Sequence, residues 1–188
     1  MIADQTPMPD SLRHSPTLPR ILALSRQQLK QFKCSEPYVV ISIQSPDEVP
    51  LRLRSDPLRK RRINLTFIDG ATEWGHIEAR DALITDAQAR RIAHVFQSYA
   101  ERCLVVISCH AGKSRSAGVA AGIRAGLGLE PAEFALPPYD PNPQARRFVE
   151  AAIRAAVATR RSNPTSQTQM ECPEGSRASR HRRSTRPA

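Results

Sequence analysis

The chain has 188 residues, room for one domain of ordinary size with its own core and little beyond it. Hydrophobic residues make up 40% but aromatics only 5%, so Val, Ile, Leu and Ala must fill that core. The net charge is +10, and half of it lies beyond residue 159, where seven arginines against Glu171 and Glu174 leave +5.

No stretch approaches the roughly 20 apolar residues that cross a bilayer. The N-terminal "MIADQTPMPDS" lacks an apolar segment, so no signal peptide is expected. Cysteines 34, 103, 109 and 172 show neither a CxxC pair nor zinc-like spacing. Reduced thiols in a cytoplasm are the expectation.

Residues 1–19 are Pro-rich and polar and read as a loose lead-in. "RILAL" (20–24) reads as a short buried strand, and Ser25 then caps a short helix over "RQQLKQF". "YVVISI" (38–43) is β-branched and apolar, a buried strand. A long loop follows, with Pro46, Pro50, Pro57 and the basic cluster Arg59 to Arg62. "INLTFI" (63–68) reads as a third strand ending at Asp69-Gly70, and a polar stretch with Trp74 and His76 comes next. The spacing of Ala89, Ile92, Val95, Phe96 and Tyr99 predicts a helix capped by Thr85, with Asp86 in its first turn. "LVVIS" (104–108) reads as a fourth strand, apolar throughout as a strand covered on both faces should be. "SAGVAAGIRAGLG" (116–128) is a small-residue helix. The last helix has Asn142 as cap, Pro143 in first position and Phe148, Val149, Ala152, Ile153 and Val157 on its apolar face. From residue 161 the tail has too few apolar side chains to order itself. Strands alternating with helices predict a single α/β domain over 20–160, a mainly parallel sheet flanked by helices.

Ligands of such sheets bind beyond the carboxyl ends of the strands. Both Asp69-Gly70 and "CHAGKSRS" (109–116) fall there. The second leads into a helix N-terminus, whose free N–H groups and positive dipole end favour an anion. Gly112 allows the curl that turns successive N–H groups inward. Arg115 offers a planar fork suited to two phosphate oxygens. A cysteine at the mouth of such a cradle is poised to react as thiolate, a nucleophile aimed at phosphorus. Read blandly, Cys109 is a core cysteine and Asp69 a strand-ending turn residue.

Cys109 to Arg115 spans C-x5-R, and "CHAGKSRS" resembles the phosphate loop of the cysteine-based tyrosine and dual-specificity phosphatases, above all their compact bacterial and phage members. "YDPNPQARRF" (139–148) resembles a further piece of that pattern, and the likeness in element order covers roughly residues 20–158. The resemblance implies a metal-free and cofactor-free phosphatase domain of the C-x5-R type. Cys109 would form a phosphocysteine. Arg115 and the loop of His110, Ala111, Gly112, Lys113 and Ser114 would hold the phosphoryl group. Ser116 would ease departure of the sulfur. An upstream aspartate would protonate the leaving oxygen: Asp69, 40 positions before Cys109, is favoured, and Asp81 and Asp86 compete. Ser108 stands where the family usually has histidine, and that departure leaves a non-catalytic phosphate-binding module as an alternative. Lys113 resembles members that act on inositol phosphates and inositol lipids. The expected substrate is a phosphorylated protein, phosphotyrosine first, or a small phosphomonoester, with inositol phosphates as the alternative. Rhodanese-like sulfur transfer also uses a cysteine loop after a strand but lacks the arginine signature. No aromatic interleaving supports specific nucleic-acid binding, and the basic tail is left to contacts with acidic surfaces.

Overall fold

A computed structural model describes residues 19–70 and 83–162. Four strands, β1 (Ile21–Ser25), β2 (Tyr38–Gln44), β3 (Arg59–Thr66) and β4 (Leu104–Cys109), form one wholly parallel sheet in the order β1-β4-β2-β3. The helices are α1 (Arg26–Gln31), α2 (Asp86–Tyr99), α3 (Arg115–Gly126) and α4 (Pro143–Ser162). A 3-10 turn, Ala132–Ala135, lies between α3 and α4 and gave no signal in the sequence.

Strand side chains alternate between two faces, and here both faces are covered. Val39, Ile41, Ile43, Val105, Ile107 and Cys109 join the larger apolar cluster with α2, α3 and α4. Tyr38, Val40, Leu104 and Val106 join a smaller one with Leu29 of α1 and Leu51 of the loop between β2 and β3. That double burial is why β2 and β4 read as unbroken apolar runs.

One element differs from the sequence reading. Arg59 to Arg62 do not lie in the loop; they form the first half of β3, with Tyr38 opposite Arg59 and Val40 opposite Arg62. Period and charge both argued against a strand there. The resolution is position: β3 is the sheet's edge, where charged side chains reach water and also discourage pairing with another chain. α1 and α2 open with capping boxes, Ser25 with Gln28 and Thr85 with Gln88, as the cap residues foretold.

α3 and α4 pack closely because α3 offers glycines at four-residue spacing. A Cβ on Gly122 would stand 2.6 Å from the carbonyl oxygen of Arg146, and one on Gly126 2.6 Å from the Ile153 side chain. Alanine gains about 1 kcal/mol in helix propensity over glycine, but overpacking against a backbone oxygen costs about 1–3 kcal/mol. Gly122→Ala should therefore lower the urea midpoint; a raised midpoint would show that α4 yields freely at this seam.

Candidate active site

The loop after β4 closes tightly on its own cysteine. Cys109 is 3% exposed, and its Sγ accepts from the Gly112 N–H at 3.3 Å and lies 3.2 Å from Ser116 Oγ. Gly112 has φ +75, and a Cβ there would meet the Ser25 amide and stand 2.6 Å from the Leu24 carbonyl carbon. Both conformation and space thus require glycine. The Arg26 N–H donates to the His110 carbonyl at 3.1 Å, so the start of α1 holds the outside of the loop.

Arg115 is 7% exposed, with its Nη1 donating to Ser45 Oγ at 2.9 Å and to the Phe67 carbonyl at 3.0 Å. Its Nε is buried with no acceptor among the described residues. Leaving a buried donor unpaired costs on the order of 1–3 kcal/mol. The Arg115 guanidinium is thus braced at Nη1 and keeps donor capacity that the described residues do not use, as does the buried Nε of Arg62 on β3. His110, Ala111 and Lys113 are exposed around Arg115, and the N–H groups of Ala111, Lys113 and Ser114 have no acceptor among the described residues. Ser114 occupies the N-cap of α3 yet makes no side-chain cap; its hydroxyl donates instead to Asp69 Oδ1 at 2.6 Å. The helix N-terminus is thereby left open to an anion.

Asp69 follows β3 at the same edge of the sheet, and Ser114 ties it to the loop across 45 positions of sequence. Asp86 is the first residue of α2, where it serves the helix terminus. Asp81, with Trp74 and His76, lies outside the described residues. Cys103 is buried at the start of β4, the end opposite Cys109 and roughly 20 Å away by strand rise. The two thiols are not placed to pair. Ser108 is buried in β4 opposite Ser42 of β2, and its small side chain fits that pairing.

Sequence reasoning missed three residues. Glu48 Oε1 lies 2.7 Å from His110 Nδ1, and Glu48 Oε2 accepts from the Ser45 N–H at 2.7 Å. Ser45 itself braces Arg115. Asn142, read only as a helix cap, donates from Nδ2 to Asp69 Oδ1 at 2.8 Å and also to the Asp69 carbonyl. The available signal was position: Ser45 and Glu48 follow the carboxyl end of a central strand, where ligands of parallel sheets bind. Burial pushes the Glu48 carboxyl up, but the Ser45 amide, the His110 ring and the charge of Arg115 outweigh it and hold the carboxyl below its ordinary value. Among the described residues no group of three or more His, Cys, Asp or Glu is placed to hold a metal ion. Nor is any described helix long and apolar enough to cross a membrane.

No family model matches the chain, and no curated protein matches it. Among solved structures it is similar to PTPMT1 in complex with PI(5)P, at 14% identity over 74% of this chain and 94% of that one, TM-score 0.49. A second PTPMT1 structure gives 17% identity over 77% and 96%, TM-score 0.48. Human DUSP28 gives 16% over 76% and 99%, TM-score 0.41. Function therefore has to come from the site's own residues.

Because the folded-state pKa of Glu48 is depressed, its stabilising contribution is present above the unfolded value and lost as pH falls through the folded one. Glu48→Gln should melt below wild type at neutral pH, and the gap should close as the pH drops below about 4.3. A gap that stays constant down to pH ~3 would exclude this linkage.

Proposed function

We propose that the chain is a cysteine-dependent phosphatase that hydrolyses phosphomonoesters through a phosphocysteine intermediate. The carrying observation is the set of loop amides, Ala111, Lys113 and Ser114, without acceptors among the described residues, on the loop that ends at the buried Arg115 and whose Gly112 and Ser116 face the Cys109 sulfur. These donors suit the oxygens of a phosphoryl group and the charge it gathers in the transition state.

In the first step the Cys109 thiolate attacks phosphorus, and the bond from phosphorus to the leaving oxygen breaks. The leaving oxygen takes its electron pair and a proton from Asp69. In the second step water attacks phosphorus and gives its proton to the Asp69 carboxylate. The S–P bond then breaks, and the sulfur departs as thiolate toward Ser116 Oγ and the Gly112 N–H.

An aryl ester, phosphotyrosine first, is the favoured substrate. Val49 (74% exposed) and Leu136 (61%) are the exposed large hydrophobic side chains among the described residues. Val49 is tied to the loop through Arg26, which bonds both the Val49 carbonyl and the His110 carbonyl, and an apolar side chain there suits an aromatic ring. Exposed Lys113 favours the second reading, a crowded polyanion such as an inositol phosphate.

Turnover of an aryl phosphate with chelator present tests the proposal. Cys109→Ser should abolish phosphate release, leaving oxyanion binding intact. Arg115→Lys, which loses the fork, should lower kcat/KM by about 100-fold or more. Full activity in Cys109→Ser would end the proposal, and oxyanion binding without turnover in wild type would make the chain a phosphate-binding module. Comparison of phosphopeptides with inositol phosphates, in wild type and Lys113→Ala, decides the substrate class.

A further inference from the structure

Asn142 is 5% exposed, and every polar group of its side chain is committed. Its Oδ1 accepts from the Ala145 N–H at 2.7 Å, capping α4. Its Nδ2 donates to Asp69 twice, at the carbonyl and at Oδ1. Its own N–H donates to the Ser114 carbonyl at 3.2 Å, and Ser114 Oγ returns to Asp69 Oδ1 at 2.6 Å. A Cβ on Gly118 of α3 would stand 2.6 Å from the Asn142 carbonyl oxygen. One residue thus joins the start of α4, the end of β3, the phosphate loop and α3.

Capping needs only the oxygen. Ser, Asp and Asn cap helices about equally well, so the amide nitrogen is not explained by the cap. Two donors occupy Asp69 Oδ1, and no described donor reaches Oδ2. The transferable proton of this acid therefore belongs on Oδ2, the oxygen left without a donor. We infer that Asn142 is a positioning residue: through Nδ2 it locks the Asp69 carboxyl against the phosphate loop, so the acid is aimed before substrate arrives. This rests on the phosphatase reading with Asp69 as general acid.

Asn142→Ser separates the amide from the cap, because serine keeps a capping oxygen and no charge. The melting temperature should fall, because the hydrogen bonds from the amide to Asp69 are lost, while KM and vanadate binding should stay near wild type. Turnover of phenyl phosphate, whose leaving group needs a proton, should fall about 10-fold or more. Turnover of dinitrophenyl phosphate, whose leaving group does not, should change less than about 3-fold. Asn142→Thr also keeps a capping oxygen, fills more of the vacated space and should show the same ester-selective loss; it serves if Asn142→Ser folds poorly. Equal losses on both esters, or a loss on neither, would overturn the inference. Asp69→Asn is the control: if it spares phenyl phosphate, the acid assignment falls and this inference with it. If it slows phenyl phosphate selectively while Asn142→Ser does not, the positioning role alone is wrong.

Discussion

The arrangement depends on a contact between two pieces of backbone. Gly112 lies so close to the Leu24–Ser25 peptide that no side chain fits between them. The same closeness brings its N–H to the Cys109 sulfur and leaves neighbouring N–H groups without acceptors among the described residues. Strand β1 pairs beside β4 up to Ser25 opposite Cys109, so the sheet register itself sets this approach. A loop pressed from behind cannot relax to satisfy its own amides. Its polarity is turned toward the mouth, where an anion can meet it.

Electrostatics around the mouth follow from how Arg115 is housed. Among the described residues no carboxylate bonds the guanidinium directly; a hydroxyl and a carbonyl do, and Glu48 contributes its charge from one residue group away, through Ser45 and His110. A direct carboxylate partner would compete with phosphate for the same fork. Held by neutral acceptors, the cation keeps its attraction for a dianion, and Glu48 steadies the loop without quenching it.

Much of this was legible from residue pattern. The apolar runs of β2 and β4, the caps Ser25 and Thr85, and the C-x5-R spacing each rest on local physics, and each is visible within ten residues of chain. The basic half of β3 was hidden because edge position is decided by the whole sheet and not by the strand's own composition. Ser45, Glu48 and Asn142 were hidden for a related reason. Their roles are contacts across 70, 62 and 73 positions, to Arg115, His110 and Asp69 respectively, and no local periodicity encodes such distances. Asp69 fell between these cases: its place at a strand end was readable, its tether to Ser114 was not.

The glycine column of α3 has an implication for how the molecule tolerates change. Gly122 and Gly126 each lie against α4, and Gly118 lies against Asn142, the residue that caps it. Bulk added along this seam would press on α4, whose cap Asn142 bonds both Asp69 and Ser114. Drift in an apparently inert hydrophobic region would therefore be felt beside the loop that follows β4.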